Sequence, residues 1–128
     1  MKTLGFLGTG IMGEPMALNL INAGNKVIVW NRHPEKCHRL IAAGAQMESS
    51  PAAVVEAADI TFAMLADPNA AESVCFSPHG VLDGMSHGKA YVDFSTVDPE
   101  TSMNIAEAIA TAGGRFLEAP VSGSKVPA

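Results

Sequence analysis

The feature that most constrains the fold is a glycine-rich turn at residues 8–13, between a short apolar run and a stretch with helical periodicity. Gly8 permits the tight turn that leaves the strand, Gly10 lets a pyrophosphate approach the backbone, and Gly13 lets the next helix pack close to the sheet. The helix N-terminus then offers free N–H groups and the positive end of its dipole to the phosphates. In this context the motif predicts a dinucleotide-binding strand–turn–helix unit, although a corner without a ligand has the same local pattern.

Short apolar runs alternate with helical stretches along the whole chain, as in βαβ units with a parallel sheet. Some of the runs are continuous rather than alternating, as expected where helices cover both faces of a sheet. We therefore predict one α/β domain over residues 1–128, with a Rossmann-type, doubly wound, mostly parallel six-stranded sheet. The predicted strands are residues 3–7, 26–30, 45–47, 59–64, 90–94 and 115–118.

Polar residues, prolines and glycines mark the ends of the predicted helices. Ser or Asp before proline places a side-chain acceptor at the N-cap, and glycine adopts the left-handed conformation needed just after a helix. These signals predict helix starts at Ser50, Asp67, Asp98 and, with a poorer cap, His33, and helix ends at Gly24, Gly44 and Gly113.

The composition is that of a globular protein. Of the 128 residues 48% are apolar and 16% charged, and the net charge is −5. These values exclude a disordered tail and argue against a general nucleic-acid surface. No apolar run is long enough to span a bilayer, and no secretion signal precedes the first predicted strand. We expect no membrane or nucleic-acid partner, and a cytoplasmic location.

The two cysteines, Cys37 and Cys75, have no spacing typical of a metal or redox site. We expect them to be buried or half-buried thiols in a reducing compartment. His33, Cys37 and His38 lie at helical spacing but have no fourth ligand, so no metal is expected.

The residues after the second predicted strand indicate which dinucleotide binds. A site selective for NAD usually has Asp or Glu here, which pairs with the ribose hydroxyls. This chain has Asn31 instead, followed by Arg32, whose guanidinium can grip a 2′-phosphate and stack on adenine. The pair favours NADP(H), with Lys36 as a weaker second cation. The alternative is that Arg32 is a solvated surface charge.

Loops after the later strands would border the same site, because ligands of open parallel sheets bind at the carboxyl ends of the strands. Residues 65–66 follow the fourth strand. Ser95 and Thr96 follow the fifth, where their hydroxyls either reach the nicotinamide ribose or help to cap the next helix. Ser122 and Gly123 follow the sixth, in a turn whose N–H groups can form a nest for a carboxylate.

Five stretches taken together are more specific than the glycine turn alone. They are residues 5–13 (GFLGTGIMG), 29–32 (VWNR), 64–68 (MLADP), 91–98 (YVDFSTVD) and 113–124 (GGRFLEAPVSGS). With them the chain resembles the β-hydroxyacid dehydrogenases over residues 3–128, and it is most similar to their glyoxylate/succinic semialdehyde reductase branch. 3-Hydroxyisobutyrate dehydrogenases usually have an acid after the second strand, and 6-phosphogluconate dehydrogenases share the Asn–Arg pair but differ in the later loops.

The resemblance implies an oxidoreductase that uses NADPH to reduce a small aldehyde acid, glyoxylate or succinic semialdehyde, to the hydroxy acid. It also implies that Ser122 and Gly123 lie near the substrate carboxylate. The cofactor-binding residues, from the resemblance and the loop positions together, are Gly5, Phe6, Leu7, Gly8, Thr9, Gly10, Ile11, Met12, Gly13, Asn19, Asn31, Arg32, Leu65, Ala66, Ser95 and Thr96.

Members of this family also have a catalytic lysine beyond the cofactor domain, and a helical C-terminal domain through which they oligomerise. We expect the matching lysine to lie beyond Ala128, because Lys125 is not at the matching position. We therefore expect the chain to be the cofactor-binding part of a reductase, inactive alone. The alternatives are a non-catalytic NADP-binding or interaction module, as in a nuclear chromatin-associated member of the family, and an enzyme of the 3-hydroxyisobutyrate dehydrogenase type.

Overall fold

Strands and helices alternate along the part of the chain that the computed structural model describes, which is residues 2–8, 13–65, 68–94 and 98–119. Each predicted strand is present, and its ends differ from the prediction by at most one residue. In chain order the elements are β1 (Thr3–Leu7), α1 (Gly13–Asn22), β2 (Lys26–Trp30), a 3₁₀ helix (Pro34–Cys37), α2 (His38–Ala42), β3 (Gln46–Met47), α3 (Pro51–Ala57), β4 (Ile60–Ala63), α4 (Pro68–Phe76), α5 (Val81–Gly84), β5 (Ala90–Asp93), α6 (Pro99–Thr111) and β6 (Arg115–Glu118).

The strands form one parallel sheet in the order β3-β2-β1-β4-β5-β6, which confirms the predicted Rossmann-type fold. Phe6 of β1 is level with Val29 of β2 on one side and with Phe62 of β4 on the other. The chain runs outward from β1 to β3 and then returns to β4, so the strand order reverses at β1. The carboxyl ends of β1, β2 and β4 meet at this switch point, where ligands of open parallel sheets bind.

Helices pack on both faces of the sheet because its strands are apolar on both sides. Phe6 belongs to a core cluster with Ala17 of α1 and Leu40 of α2. Its neighbour Leu7 points to the other face and belongs to a larger cluster, with residues of α3, α4, α5 and α6. Successive residues of β1 are therefore buried on opposite faces, which explains why its sequence is continuously apolar.

Side-chain caps are present at two of the predicted helix starts. Ser50 Oγ accepts a hydrogen bond from the N–H of Ala53 at 3.2 Å, and Asp98 Oδ2 accepts one from the N–H of Thr101 at 3.1 Å. The Thr101 hydroxyl also donates to Asp98 at 2.7 Å, and these bonds hold the pKa of the Asp98 carboxyl below its usual value. The predicted helix ends have glycine at positive φ: Gly24 (94°), Gly44 (118°) and Gly113 (92°).

Two helices differ from the prediction. The residues after His33 form a 3₁₀ helix without a side-chain cap, and α2 begins only at His38. The short helix α5 was not predicted, because its N-cap is Gly80, which has no side-chain acceptor. Asp67 lies outside the described residues, although α4 begins at Pro68 as expected.

Cys37 and Cys75 are buried free thiols, as predicted. Burial raises the pKa of both, that of Cys75 to about 12. In the described ranges no helix is long and apolar enough to cross a membrane. Within the same ranges, no three His, Cys, Asp or Glu side chains are grouped so that they could hold a metal ion.

Candidate functional site at the carboxyl ends of the strands

The corner between β1 and α1 has the geometry that the glycine motif predicts. Gly8 has a φ of +84°, and a Cβ at this position would overlap the carbonyl oxygen of Met64. A Cβ on Gly13 would lie 2.8 Å from the carbonyl oxygen of Gly8 and 3.3 Å from Cε1 of Phe6. Glycine is therefore needed for the turn at Gly8 and for the close start of α1 at Gly13. The backbone at Gly8 and at Gly13 fits the two ends of a dinucleotide-binding turn, whereas residues 9–12, Gly10 among them, lie outside the described residues.

Backbone hydrogen bonds join this corner to the two neighbouring strands. The N–H of Gly8 donates to the carbonyl of Trp30 at 2.9 Å, and the N–H of Met64 donates to the carbonyl of Leu7 at 2.9 Å. The residues that follow β1, β2 and β4 therefore begin side by side. This brings Gly8, Asn31 and Leu65 to the same end of the sheet, where the strands have their carboxyl ends.

Asn31 and Arg32 begin the loop after β2. The Asn31 side-chain amide donates to the carbonyl of His33 at 3.0 Å, and this bond between a side chain and the backbone two residues on stabilises the turn of the loop. Arg32 is exposed, and no salt bridge to it is present in the part of the chain that the structure describes. Lys36, in the following 3₁₀ helix, is exposed as well. Both cationic side chains are thus exposed and accessible to an anion.

Glu14, in the first turn of α1, contacts a different arginine. Its Oε1 lies 3.4 Å from Nη1 of Arg39 on α2. The position of the Glu14 carboxylate in the first turn of α1 also allows a favourable interaction with the helix dipole. The Arg39 side chain is 80% exposed, so the ion pair is solvated and weak.

Positions 5–7 lie within the packing on both faces of the sheet. A Cβ on Gly5 would lie 2.5 Å from Cγ1 of Val54 and 2.8 Å from Oγ1 of Thr61. Phe6 and Leu7 are completely buried. A cofactor contact from these residues would have to come from the backbone. Sequence reasoning missed the packing role of Gly5, because its neighbours come from α3 and β4.

Asn19 and Leu65 lie in different surroundings. Asn19 lines an apolar pocket of about 300 Å³ together with Met16, Leu20, Phe62 and Phe94. Of the predicted site residues that the structure describes, Phe6 also lines that pocket. Leu65 is half-buried against the larger core cluster, and its Cδ2 would lie 3.1 Å from a Cβ on Gly8. Leu65 therefore borders the glycine corner, whereas Asn19 faces a pocket beside β4.

The other predicted site residues lie outside the described residues, so their roles stay predictions. They are Thr9, Gly10, Ile11, Met12, Ala66, Ser95, Thr96, Ser122 and Gly123. Lys125 and Ala128 also lie outside the described residues. The expectation that the catalytic lysine lies beyond Ala128 therefore stays a prediction too.

Tyr91 of β5 and Cys75 of α4 are titratable side chains buried in the larger core cluster. Tyr91 and Cys75 are 0% and 1% exposed. Burial raises the pKa of the Tyr91 hydroxyl well above its usual range. Because neither side chain is accessible, neither can pass a proton to a bound substrate.

Comparisons with known proteins agree with this geometry. Residues 3–128 match the model of the NAD binding domain of 6-phosphogluconate dehydrogenase. Glyoxylate/succinic semialdehyde reductase 1 of Arabidopsis thaliana is 55% identical over 125 residues, which are 98% of this chain and 43% of that protein. The cytokine-like nuclear factor N-PAC of Xenopus tropicalis is 54% identical over 124 residues, which are 97% of this chain and 23% of that protein.

A solved structure, Psf3 in complex with NADP+ and 2-OPP, is similar with a TM-score of 0.88 and 35% sequence identity. The match covers 94% of this chain and 43% of that one. The chain thus spans less than half the length of each of these proteins.

Proposed function

The chain belongs to the family of the 6-phosphogluconate dehydrogenase NAD-binding domain, and from this premise we propose that it binds NADP(H) as the cofactor-binding part of a reductase. One observation carries the proposal. The hydrogen bond from the N–H of Gly8 to the carbonyl of Trp30 joins the glycine corner to the end of β2, two residues before the exposed Arg32. A dinucleotide whose pyrophosphate lies at that corner would have its adenosine ribose at the end of β2.

The residues at the end of β2 support NADP(H) over NAD(H). Asn31 has a neutral amide where a carboxylate would repel a 2′-phosphate, and this amide is already bonded to the carbonyl of His33. The exposed Arg32 is free to form a bidentate, charge-assisted contact with the phosphate. Lys36 adds a second positive charge nearby. The net charge of the chain is −5, so this anion must be held by local groups rather than by the overall field.

Titration of the purified chain with NADPH and NADH tests the proposal. We expect NADPH to bind more tightly than NADH. Arg32→Ala should weaken the affinity for NADPH about tenfold to hundredfold, which corresponds to the loss of one or two charge-assisted hydrogen bonds. The affinity for NADH should change by less than about twofold, because NADH has no 2′-phosphate.

Arg115→Ala is the matched control for this titration. Arg115 is exposed at the amino end of β6, at the far edge of the sheet, so its removal changes the net charge equally without touching the proposed site. Equal affinity of the parent chain for the two nucleotides would refute the argument from Asn31 and Arg32. If Arg115→Ala weakened NADPH binding as much as Arg32→Ala does, the loss of affinity would come from the change in net charge and not from a contact with Arg32.

We further propose that the substrate is a small aldehyde acid, glyoxylate or succinic semialdehyde. When bound, NADPH supplies the hydride that adds to the aldehyde carbon, and a proton on the oxygen completes the alcohol. The proposal is supported by the 55% identity to glyoxylate/succinic semialdehyde reductase 1 and by the loop at residues 122–124. In this loop Ser122 and the N–H groups near Gly123 would bind the carboxylate.

The proton donor is proposed to lie in polypeptide that follows Ala128 in a longer protein. Mixing the 128-residue chain with NADPH and glyoxylate should therefore give no steady decrease in absorbance at the nicotinamide band. Sustained turnover would show that a proton donor lies within these residues. Glyoxylate and succinic semialdehyde should be tested in parallel, since the chain itself does not discriminate between them.

A second candidate is a non-catalytic dinucleotide-binding or interaction module. The 54% identity to the nuclear factor N-PAC favours it. The polypeptide that follows Ala128 discriminates between the two functions. A lysine with an asparagine four residues on, in a helix, favours the enzyme, and another residue in place of the lysine favours the module. An enzyme of the 3-hydroxyisobutyrate dehydrogenase type would share the lysine and differ in its substrate.

A further inference from the structure

A surface groove of about 890 Å³ lies between α4 and α6. Residues 69, 72, 73 and 76 line it from α4, and residues 104, 107, 108 and 111 line it from α6. Both sets have the i, i+3, i+4, i+7 spacing, so each helix contributes one continuous stripe to the groove. The two helices pack on the sheet face opposite α1 and α2, so the groove is separate from the glycine corner.

The floor of the groove is apolar and accessible. Phe76 is 42% exposed, and Leu82 and Ala108 are half-buried beside it. Val74 and Ile105, on the inner sides of the same helices, are buried in the core. These residues fill the core beneath the two helices, and Phe76 remains partly exposed to solvent. An exposed aromatic ring at the bottom of a groove is a typical anchor site for an apolar side chain of a partner.

The rim of the groove is acidic. Glu72 and Glu107 line opposite sides, both are exposed, and neither forms a salt bridge in the described part of the chain. There is no lysine or arginine from residue 40 to residue 88, or from residue 90 to residue 114. The helices α3, α4, α5 and α6 therefore carry carboxylates and no cation, whereas Arg32, Lys36 and Arg39 lie together before residue 40.

The hydroxyl groups of the groove are used within their own helices. Ser73 Oγ and Ser77 Oγ lie 3.2 Å apart and share a hydrogen bond, and the Thr111 hydroxyl donates to the carbonyl of Glu107 at 2.8 Å. The groups that remain for recognition are the apolar floor and the two carboxylates.

We propose that this groove is the docking site for a basic amphipathic helix of a partner protein. A helix lying between two others places its apolar side chains at i, i+3, i+4 and i+7 against the floor. Lysine or arginine on its flanks would then meet Glu72 and Glu107. A second copy of this groove is a poor occupant, because a two-fold contact would bring like-charged glutamates together. Nucleic acid is a poor occupant because its phosphates would be repelled.

A designed peptide pair tests the proposal on the 128-residue chain. The probe is a helical peptide of about four turns with leucine at i, i+3, i+4 and i+7 and lysine on both flanks, and its counterpart has glutamate for each lysine. Calorimetric titration should give micromolar binding of the lysine peptide and at least about tenfold weaker binding of the glutamate peptide. Amide chemical shifts should change in α4 and α6.

The variant Glu72→Gln/Glu107→Gln should weaken the lysine peptide about fivefold to tenfold, which is the usual worth of two exposed ion pairs. Glu56→Gln/Glu118→Gln is the matched control, because it removes the same charge from exposed positions outside the groove. The control should bind the peptide within about twofold of the parent chain. All four substitutions are exposed and isosteric, and circular dichroism checks that each variant is folded.

The proposal is overturned if the lysine peptide fails to bind at millimolar concentration. It is also overturned if both double variants weaken binding equally, since the attraction would then come from net charge. Sedimentation of the chain alone provides a third outcome. A self-association that Glu72→Gln/Glu107→Gln abolishes would make a second copy the occupant and refute the proposed partner.

Discussion

Substitution of Gly5 by alanine should destabilise the domain through a steric conflict. The new Cβ would lie 2.5 Å from Cγ1 of Val54 and 2.8 Å from Oγ1 of Thr61. These neighbours are 0% and 1% exposed, so neither can turn toward solvent. We expect a loss of about 1–3 kcal/mol in the free energy of unfolding, the usual cost of overpacking a core. The smaller entropy of the unfolded alanine variant offsets at most about 1 kcal/mol of this.

A second substitution in α3 isolates the cause. Val54→Ala alone should cost about 2 kcal/mol, because it removes two buried methyl groups and leaves a cavity. In the double variant the Cβ introduced at position 5 enters the vacated space. The double variant should therefore lose about 1–2 kcal/mol less than the sum of the two single losses.

Urea unfolding followed by circular dichroism gives each free energy, and the fluorescence of Trp30 provides a second probe. Gly24→Ala is the control. Gly24 has a φ of +94° with nothing within 4 Å of a Cβ, so its cost comes from the backbone conformation alone. Combined with Val54→Ala it should be additive within about 0.5 kcal/mol.

Additive losses for Gly5→Ala and Val54→Ala would refute the steric argument. The same variants test the predicted cofactor role of Gly5. If packing is its whole role, the double variant binds NADPH within about twofold of the parent chain. A stably folded double variant that had lost NADPH would instead support a direct contact.

Three further predictions concern the caps, the thiols and a lysine contact. Ser50→Ala should cost about 1 kcal/mol at any pH, whereas Asp98→Ala should lower the urea midpoint only when the carboxyl is ionised. Because the pKa of Asp98 is lowered, its stabilisation of the fold is present at neutral pH and is lost as the pH falls through that pKa. The loss of stability caused by Asp98→Ala should therefore shrink at low pH, whereas the loss caused by Ser50→Ala should not. Cys37 and Cys75 should be inert to a disulfide-exchange reagent in the native state and react in urea, and native reactivity would contradict their burial. Lys89 Nζ donates to two carbonyls at the end of α3, each at 2.9 Å, so Lys89→Met should cost about 1–3 kcal/mol in urea unfolding.

The elements that the sequence predicts are those whose signals are local. The strands were predicted with errors of at most one residue, because each is a short apolar run bounded by glycine, proline or polar residues. The caps at Ser50 and Asp98 depend on backbone groups only three residues away. The helix α5 was missed for the converse reason. It is four residues long and has Gly80 at its N-cap, so its position depends on packing.

The candidate site divides in a similar way. The roles of Gly8 and Gly13 follow from their spacing, and the structure confirms the positive φ of the first and the close packing of the second. Asn19 was assigned by resemblance alone, and the structure places it in an apolar pocket with Phe62. The roles of Thr96 and Ser122, which lie outside the described residues, stay predictions.

By itself the sequence determined the fold class and the glycine turn, and it predicted a preference for NADP(H), because each depends on residues close together in the chain. Only the tertiary structure decided that Gly5 is needed against Val54, that Trp30 lies beside Gly8, and that α4 and α6 enclose an acidic groove. These are contacts between residues distant in sequence. They exist because the strand order β3-β2-β1-β4-β5-β6 places side by side elements that are far apart in the sequence.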